Sequence, residues 1–199
     1  MTGPGDIAVR AANVAANRFW ALHSDDSPLI FRALLTAEDR RGMQHDGIDW
    51  ISVLRAIAYA PAKGRIEGLS TIEQQLARTI FPRRNRQLLW CKLFELRVAR
   101  SLKQQMPKPD IWAAYLELAY YGAGLHRYGD VRAVFLKPAQ PLTVRSASCI
   151  VACLKYPRPH HCGERWLLRH RQRTNYIGVR MIKMNVPSTN ANEPSRIAI

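Results

Sequence analysis

Acidic side chains are scarce in this sequence: 15 Asp and Glu stand against 30 Lys and Arg, a formal charge of +15 over 199 residues. Such a surplus points to an anionic partner, whether nucleic acid, anionic lipid or a phosphorylated substrate. Long hydrophobic runs are absent, and nothing approaches the ~18 uninterrupted apolar residues of a membrane span. Residues 1–6 lack the basic-then-apolar order of a secretory signal. The chain as written is therefore expected to be soluble or peripherally bound, or to have lost an anchor. The four cysteines, Cys91, Cys149, Cys153 and Cys162, show no C-x-x-C spacing, which argues against a zinc site. Cys149 and Cys153 fall one helical turn apart, where a disulfide is awkward, so the cysteines are expected to be small apolar core residues. No ligand cluster for a divalent ion is visible, and no metal or other cofactor is expected. Period-2 alternation and internal repeats are also missing, which leaves an all-α fold. The length suits one domain with a real core.

Helical signals then run through the chain. Residues 1–12 look like a frayed terminus, and 14–23 a short helix. Ser27 as N-cap with Pro28 after it opens a helix leading to Glu38. A second helix is expected over 50–59, stopped by Pro61. Ser70 or Thr71 caps a third ending at Phe81, with Glu73 placed for a capping box with Ser70. A long helix spans 87–105, closed by Pro107 and Pro109, and Asp110 caps another through Tyr121. Residues 125–141 read as irregular, Thr143 caps a helix stopped by Pro157, and a basic amphipathic helix covers 164–184. The expected domain spans 28–185, between an N-terminal segment over 1–27 and a polar, disordered tail over 186–199.

Three stretches carry the polar chemistry. In the first, Glu38 and Asp39 follow the apolar Phe31, Leu34 and Leu35, with Arg40, Arg41, His45 and an Asp46-Gly47 turn behind them. An acid at a helix end between apolar walls and cations is a workable general base; the alternative is a helix-end ion cluster. In the second, Gly68 leads to Ser70, Thr71, Gln74, Gln75 and Arg78. There a glycine loop feeding a capped helix offers free N–H groups to an anion, or is simply a capped surface helix. In the third, Lys92 and Glu95 share a face of an otherwise apolar helix, as a core ion pair or as a site.

Taken in order, these stretches resemble the peptidoglycan glycosyltransferases, the monofunctional transglycosylases and the polymerising domain of bifunctional penicillin-binding proteins. The match runs through Glu38-Asp39-Arg40-Arg41, His45-x-Gly47-Ile48-Asp49, Gly68-x-Ser70-Thr71-Ile72-x-Gln74-Gln75-Leu76-Ala77 and Lys92-x-x-Glu95. Residues 111–122 are similar to the family's Ile-Leu-x-x-Tyr-Leu-Asn-x-x-Tyr-Phe-Gly. Residues 135–139 resemble Phe-Gly-Lys-x-Ala, and the helix with Arg173 and Met181 resembles the family's last one. The resemblance covers about residues 28–185.

It implies a lysozyme-like fold with two lobes flanking a cleft, and a reaction that polymerises lipid II into glycan strands with release of undecaprenyl pyrophosphate. Glu38 is then the general base and Glu95 the second catalytic acid. Asp39, His45, Ser70, Thr71, Gln74, Gln75, Arg78, Arg86 and Lys92 are expected to form the substrate-binding set, His45 by supporting the Glu38 loop. The implied partners are lipid II, the growing strand and an anionic membrane surface, at the outer face of the bacterial cytoplasmic membrane. Nucleic acid is not expected, because no base-reading motif accompanies the basic last helix. The sequence departs from the family at Gly42 (Phe), Glu73 (Thr), Cys91 (Arg), Phe94 (often basic) and Glu117 (Asn). Loss of positive charge around Lys92 keeps a second possibility open, a catalytically degenerate lipid II or peptidoglycan-binding relic. A basic nucleic-acid-binding protein is the third.

Overall fold

The computed structural model describes residues 3–52, 54, 70–82 and 88–183. Among them the regular elements are helices: α1 (Pro4–His23), α2 (Ser27–Glu38), α3 (Ile72–Ile80), α4 (Leu88–Gln105), α5 (Lys108–Leu118), α6 (Tyr128–Phe135), α7 (Val144–Lys155) and α8 (Glu164–Lys183). Extended pairing is limited to two isolated bridges that Gly122 makes with Leu125 and Arg158. A Cβ on Gly122, whose φ is +139°, would meet the Arg158 carbonyl at 2.2 Å, so this close crossing of two loops requires glycine. The described residues are all-α, as expected.

Of the frayed terminus expected over 1–12, residues 4–12 are instead the first half of α1, in which Ala8, Ala12, Ala16 and Phe19 are buried. Alanines contribute little to an amphipathic pattern, but they let α1 lie closely against α5, whose Ala113 and Ala114 are fully buried. Phe19 fixes the crossing, with its ring 5.6 Å from Phe31 and 5.2 Å from Tyr128. Together these rings join α1, α2 and α6 to one core. The segment 1–27 is thus packed in part into the body of the fold, and the tail over 186–199 lies outside the described residues.

Several caps fall elsewhere than expected. Asp26, not Ser27, precedes α2, and its carboxylate accepts from Tyr128 Oη at 2.9 Å and Arg132 Nε at 2.7 Å. The residue at the N-cap position is thus one before the expected Ser27, and its side chain is taken by a long-range ion pair instead of capping the helix. Thr71 caps α3, accepting from the Gln74 N–H at 3.3 Å, and no Ser70–Glu73 box forms because Glu73 is fully buried against Lys108. The fifth helix begins at Lys108 rather than after Asp110, which accepts from Trp20 Nε1 at 2.8 Å. The irregular stretch expected over 125–141 contains α6, whose first turn is held by Asp130 accepting from the N–H groups of His126 and Arg127. A helix opens at Trp50, and its expected course to residue 59 lies largely outside the described residues.

The C-terminal half closes over α2. Helix α7, capped by Thr143 as expected, and α8 pack on each other and on α2, and Arg32 donates to the Met181 carbonyl. Cys153 is buried in α7, and burial pushes its thiol up to about 12. The half-buried Cys91, Cys149 and Cys162 are likewise thiols. Cys153 is the core residue the sequence suggested, with no thiolate character near neutral pH.

Candidate active site

Glu38 is the last residue of α2, where the apolar Ile30, Phe31 and Leu34 are buried and the helix end reaches the surface. Its side chain is 18% exposed. Arg173 of α8 donates to Glu38 Oε1 at 3.1 Å and to the Ala37 carbonyl at 2.8 Å. Gln75 of α3 donates to the other oxygen, Oε2, at 3.4 Å, while Gln75 Oε1 accepts from Tyr115 Oη at 2.7 Å. The Tyr115 hydroxyl is pushed far up, by burial first and by the Glu38 charge second, so it remains a donor.

Glu95 lies on α4, with its side chain 4% exposed beneath two cations. Arg78 forms a two-pronged contact, Nε to Oε1 at 3.0 Å and Nη2 to Oε2 at 3.1 Å. Lys92 lies 3.6 Å from Oε2 and donates to Gln74 Oε1 at 2.6 Å. Ser70 Oγ accepts from both cations, from Arg78 at 3.3 Å and Lys92 at 3.4 Å. Arg78 is 42% and Lys92 36% exposed, so their charged heads face solvent above a buried carboxylate.

Helix α3 joins the two acids. Gln75 touches Glu38, and Arg78, one turn further on the same face, touches Glu95. Both charges also act on Tyr115, Glu38 raising its pKa and Arg78 lowering it. The two carboxylates therefore both touch one short stretch of α3, Glu38 through Gln75 and Glu95 through Arg78, with the Lys92 ammonium also against Glu95.

Behind this face, Asp39, His45, Thr71 and Gln74 are buried. The sequence suggested substrate contact for Asp39, Thr71 and Gln74; the structure places them in the supporting layer with His45. Asp39 Oδ2 accepts from the Ile72 N–H at 3.3 Å and pairs with His45 Nε2 at 2.9 Å, while His45 Nδ1 accepts from the Gly47 N–H at 3.2 Å. That pattern fixes the tautomer with the proton on Nε2. Thr71 Oγ1 at 2.8 Å and Gln74 Nε2 at 3.4 Å both donate to the Gly47 carbonyl. Gly47 itself, at φ +85°, lies against α4, where an added Cβ would come 3.1 Å from the Ala99 carbonyl. Arg86 lies outside the described residues.

The departures at Glu73, Gly42 and Glu117 have local explanations. Glu73 does not place a free negative charge beside the cations, because Lys108 Nζ pairs with it at 3.0 Å and both side chains are buried. Gly42 packs onto Leu35, whose Cδ2 would lie 2.5 Å from an added Cβ, so a phenylalanine there would require the Leu35 side chain to move. Glu117 sits in the α1–α5 contact, 3.0 Å from Arg18, and burial raises its pKa. Phe94 stacks edge-on against Phe81, with centroids 5.3 Å apart.

Asp39, His45 and Glu73 bring ligand-type atoms within 4.8 Å of one another, yet the set does not suit a metal ion. A metal-bound imidazole normally donates its other N–H. Here Nδ1 accepts a hydrogen bond, Nε2 holds the only ring proton, and the Lys108 ammonium already neutralises Glu73.

Sequence comparison now decides the family, since its model for the transglycosylases matches residues 6–182. The chain belongs to the transglycosylase family. Its helical architecture is the family's lysozyme-like one, and its activity is glycosyl transfer. It is 32% identical over 168 residues to a biosynthetic peptidoglycan transglycosylase of Laribacter hongkongensis, covering 80% of this chain and 73% of the relative. A second protein of that name, from Mannheimia succiniciproducens, is 34% identical over 148 residues, 71% of this chain and 58% of the relative. Penicillin-binding protein 1B of Vibrio cholerae is 33% identical over 163 residues, 78% of this chain but 21% of that longer protein.

Two residues of this transglycosylase site, Arg173 and Tyr115, escaped the sequence-based selection. Both lie inside stretches that resemble the family, and each reads locally as one more basic or aromatic position on a helix. Only the packing of α8 and α5 brings them to Glu38 and Gln75.

Proposed function

We propose that this transglycosylase polymerises lipid II into glycan strands at the outer face of the cytoplasmic membrane, releasing undecaprenyl pyrophosphate. One observation carries the proposal: the carboxylates of Glu38 and Glu95 are held by side chains one turn apart on α3, and two half-exposed cations sit on Glu95. In the reaction, the acceptor 4-hydroxyl displaces the long Gln75 contact and gives its proton to Glu38. The hydroxyl oxygen forms a bond to the donor sugar C1 from the face opposite the leaving group. The C1–O bond to the pyrophosphate breaks, and its electron pair leaves with the phosphate oxygen, so the configuration inverts.

Arg78 and Lys92 would meet the developing charge on the pyrophosphate, with Ser70 as a hydrogen-bond donor beside them. Glu95 orients the two cations. Arg173 holds Glu38 facing the groove and leaves its second oxygen to the substrate. The surplus of positive charge suits a diphosphate at an anionic membrane surface.

The test is polymerisation of lipid II in detergent by the purified chain, followed by strand length on gels. Wild type is expected to form strands, and Glu38→Gln to abolish them. If both are inert while lipid II still binds, the chain is a binding relic and the catalytic proposal fails.

A further inference from the structure

A concavity of about 650 Å³ lies between residues 41–51 and the C-terminal half of α4. Of the side chains placed at the two carboxylates and their supporting layer, only His45 also lines it. Its charged lining consists of Arg41, Arg100 and Lys103 against Asp46 and Asp49, a surplus of one positive charge. Asp49 is buried and holds Arg41 at 3.2 Å. Its carboxyl is lowered by the Ser52 hydrogen bonds and by Arg41, against the opposing pull of burial, so the pair persists near neutral pH. Arg100 and Lys103, three residues apart on α4, have no ion-pair partner among the described residues. Trp50 stands at the mouth with 62% of its surface exposed.

We propose that this cavity is a second binding site, for a saccharide that carries a single carboxylate. Arg100 and Lys103 take the carboxylate, and the indole of Trp50 supplies a flat apolar face for a sugar ring. The amide side chains at the rim offer donors and acceptors to sugar hydroxyls and acetamido groups. A single surplus charge suits a monoanion, since Asp46 and Asp49 disfavour a diphosphate. If the proposed function holds, the natural ligand is the peptide-bearing sugar of the glycan strand, engaged away from the reacting ends. The shared His45 places this ligand directly behind the Asp39–His45 pair.

The experiment is isothermal titration of the full chain with muramyl dipeptide, a sugar–peptide with one free carboxylate. Controls are its carboxamide, N-acetylglucosamine and inorganic phosphate. The dipeptide is expected to bind, with the carboxamide and the Arg100→Ala/Lys103→Ala double variant each weaker by about tenfold or more. Trp50→Ala is expected to weaken both the acid and the carboxamide, and Glu38→Gln neither. All three altered positions are exposed or half-exposed, and unchanged thermal melting checks that the variants fold.

Absence of binding overturns the proposal, as does equal affinity for the carboxamide or insensitivity to the α4 double variant. Competition by phosphate as strong as by the dipeptide would make the cavity a generic anion patch and also overturn it. Loss of binding in Glu38→Gln would place the ligand in the catalytic groove instead. Failure of lipid II polymerisation with this binding pattern intact would sink the proposed function alone.

Discussion

Arg173 reaches Glu38 across 135 positions of sequence, donating to one carboxylate oxygen at 3.1 Å and leaving the other to Gln75. The helix that closes the fold thereby orients the acid that ends α2. Arg173→Ala is expected to lower strand synthesis by about ten- to a hundredfold, the value of one charge-assisted hydrogen bond at a reacting group. Arg173→Lys should recover only part of it, because an ammonium cannot hold Glu38 and the Ala37 carbonyl in the same plane. Initial rates of lipid II consumption distinguish the three proteins.

Tyr115 sets the direction of the Gln75 amide. With its hydroxyl donating to Gln75 Oε1, the amide must present N–H to Glu38. Tyr115→Phe removes that constraint and lets the amide turn its oxygen towards the carboxylate. The expected result is a several-fold fall in kcat with little change in KM. A lowered melting temperature with kcat unchanged would show that Tyr115 only supports packing.

The buried Glu73–Lys108 pair predicts a strong asymmetry between single and double changes. Glu73→Thr restores the residue type of the family but strands the ammonium, which is only 10% exposed. It should cost about 3–5 kcal/mol in urea unfolding, as does breaking other buried pairs. Adding Lys108→Met should return most of that stability. Equal stability of Glu73→Thr and wild type would show that the pair contributes nothing.

His170 predicts an acid limit to stability. It is stacked between Trp166, 4.7 Å away, and Phe135, 5.7 Å away, and burial lowers its pKa from 6.5 despite the opposing Cys149 carbonyl contact. The unfolded imidazole then binds a proton at a pH where the folded one does not, so stability rises with pH through this window. It is fully present above 6.5 and is lost progressively as the pH falls towards the folded value. Melting temperatures of wild type should fall faster between pH 7.5 and 5 than those of His170→Gln, measured in the same buffers.

Much of the fold was legible because helix punctuation is local chemistry. Thr143 caps α7 as its position before an apolar stretch suggests, and Pro107 follows the end of α4. The two acids at the candidate site stand out in the sequence because Glu38 and the Lys92–Glu95 spacing lie in apolar surroundings. What escaped was set by tertiary packing. The alanines of α1 carry no periodic signal until α5 lies against them, and Asp26, which precedes α2 in place of the expected Ser27, binds a cation a hundred residues away. Burial likewise decides which polar residues reach Glu38. Asp39 and Gln75 look alike in sequence, yet one is buried behind the wall and the other reaches the acid.

The nine-residue α3 has a mechanical consequence. Because one short rod touches Glu38 through Gln75 and Glu95 through Arg78, one turn apart, the two carboxylates are geared together. Under the proposed reaction, a ligand that twists this rod by engaging Arg78 would also re-aim Glu38, with no hinge needed to couple the two ends.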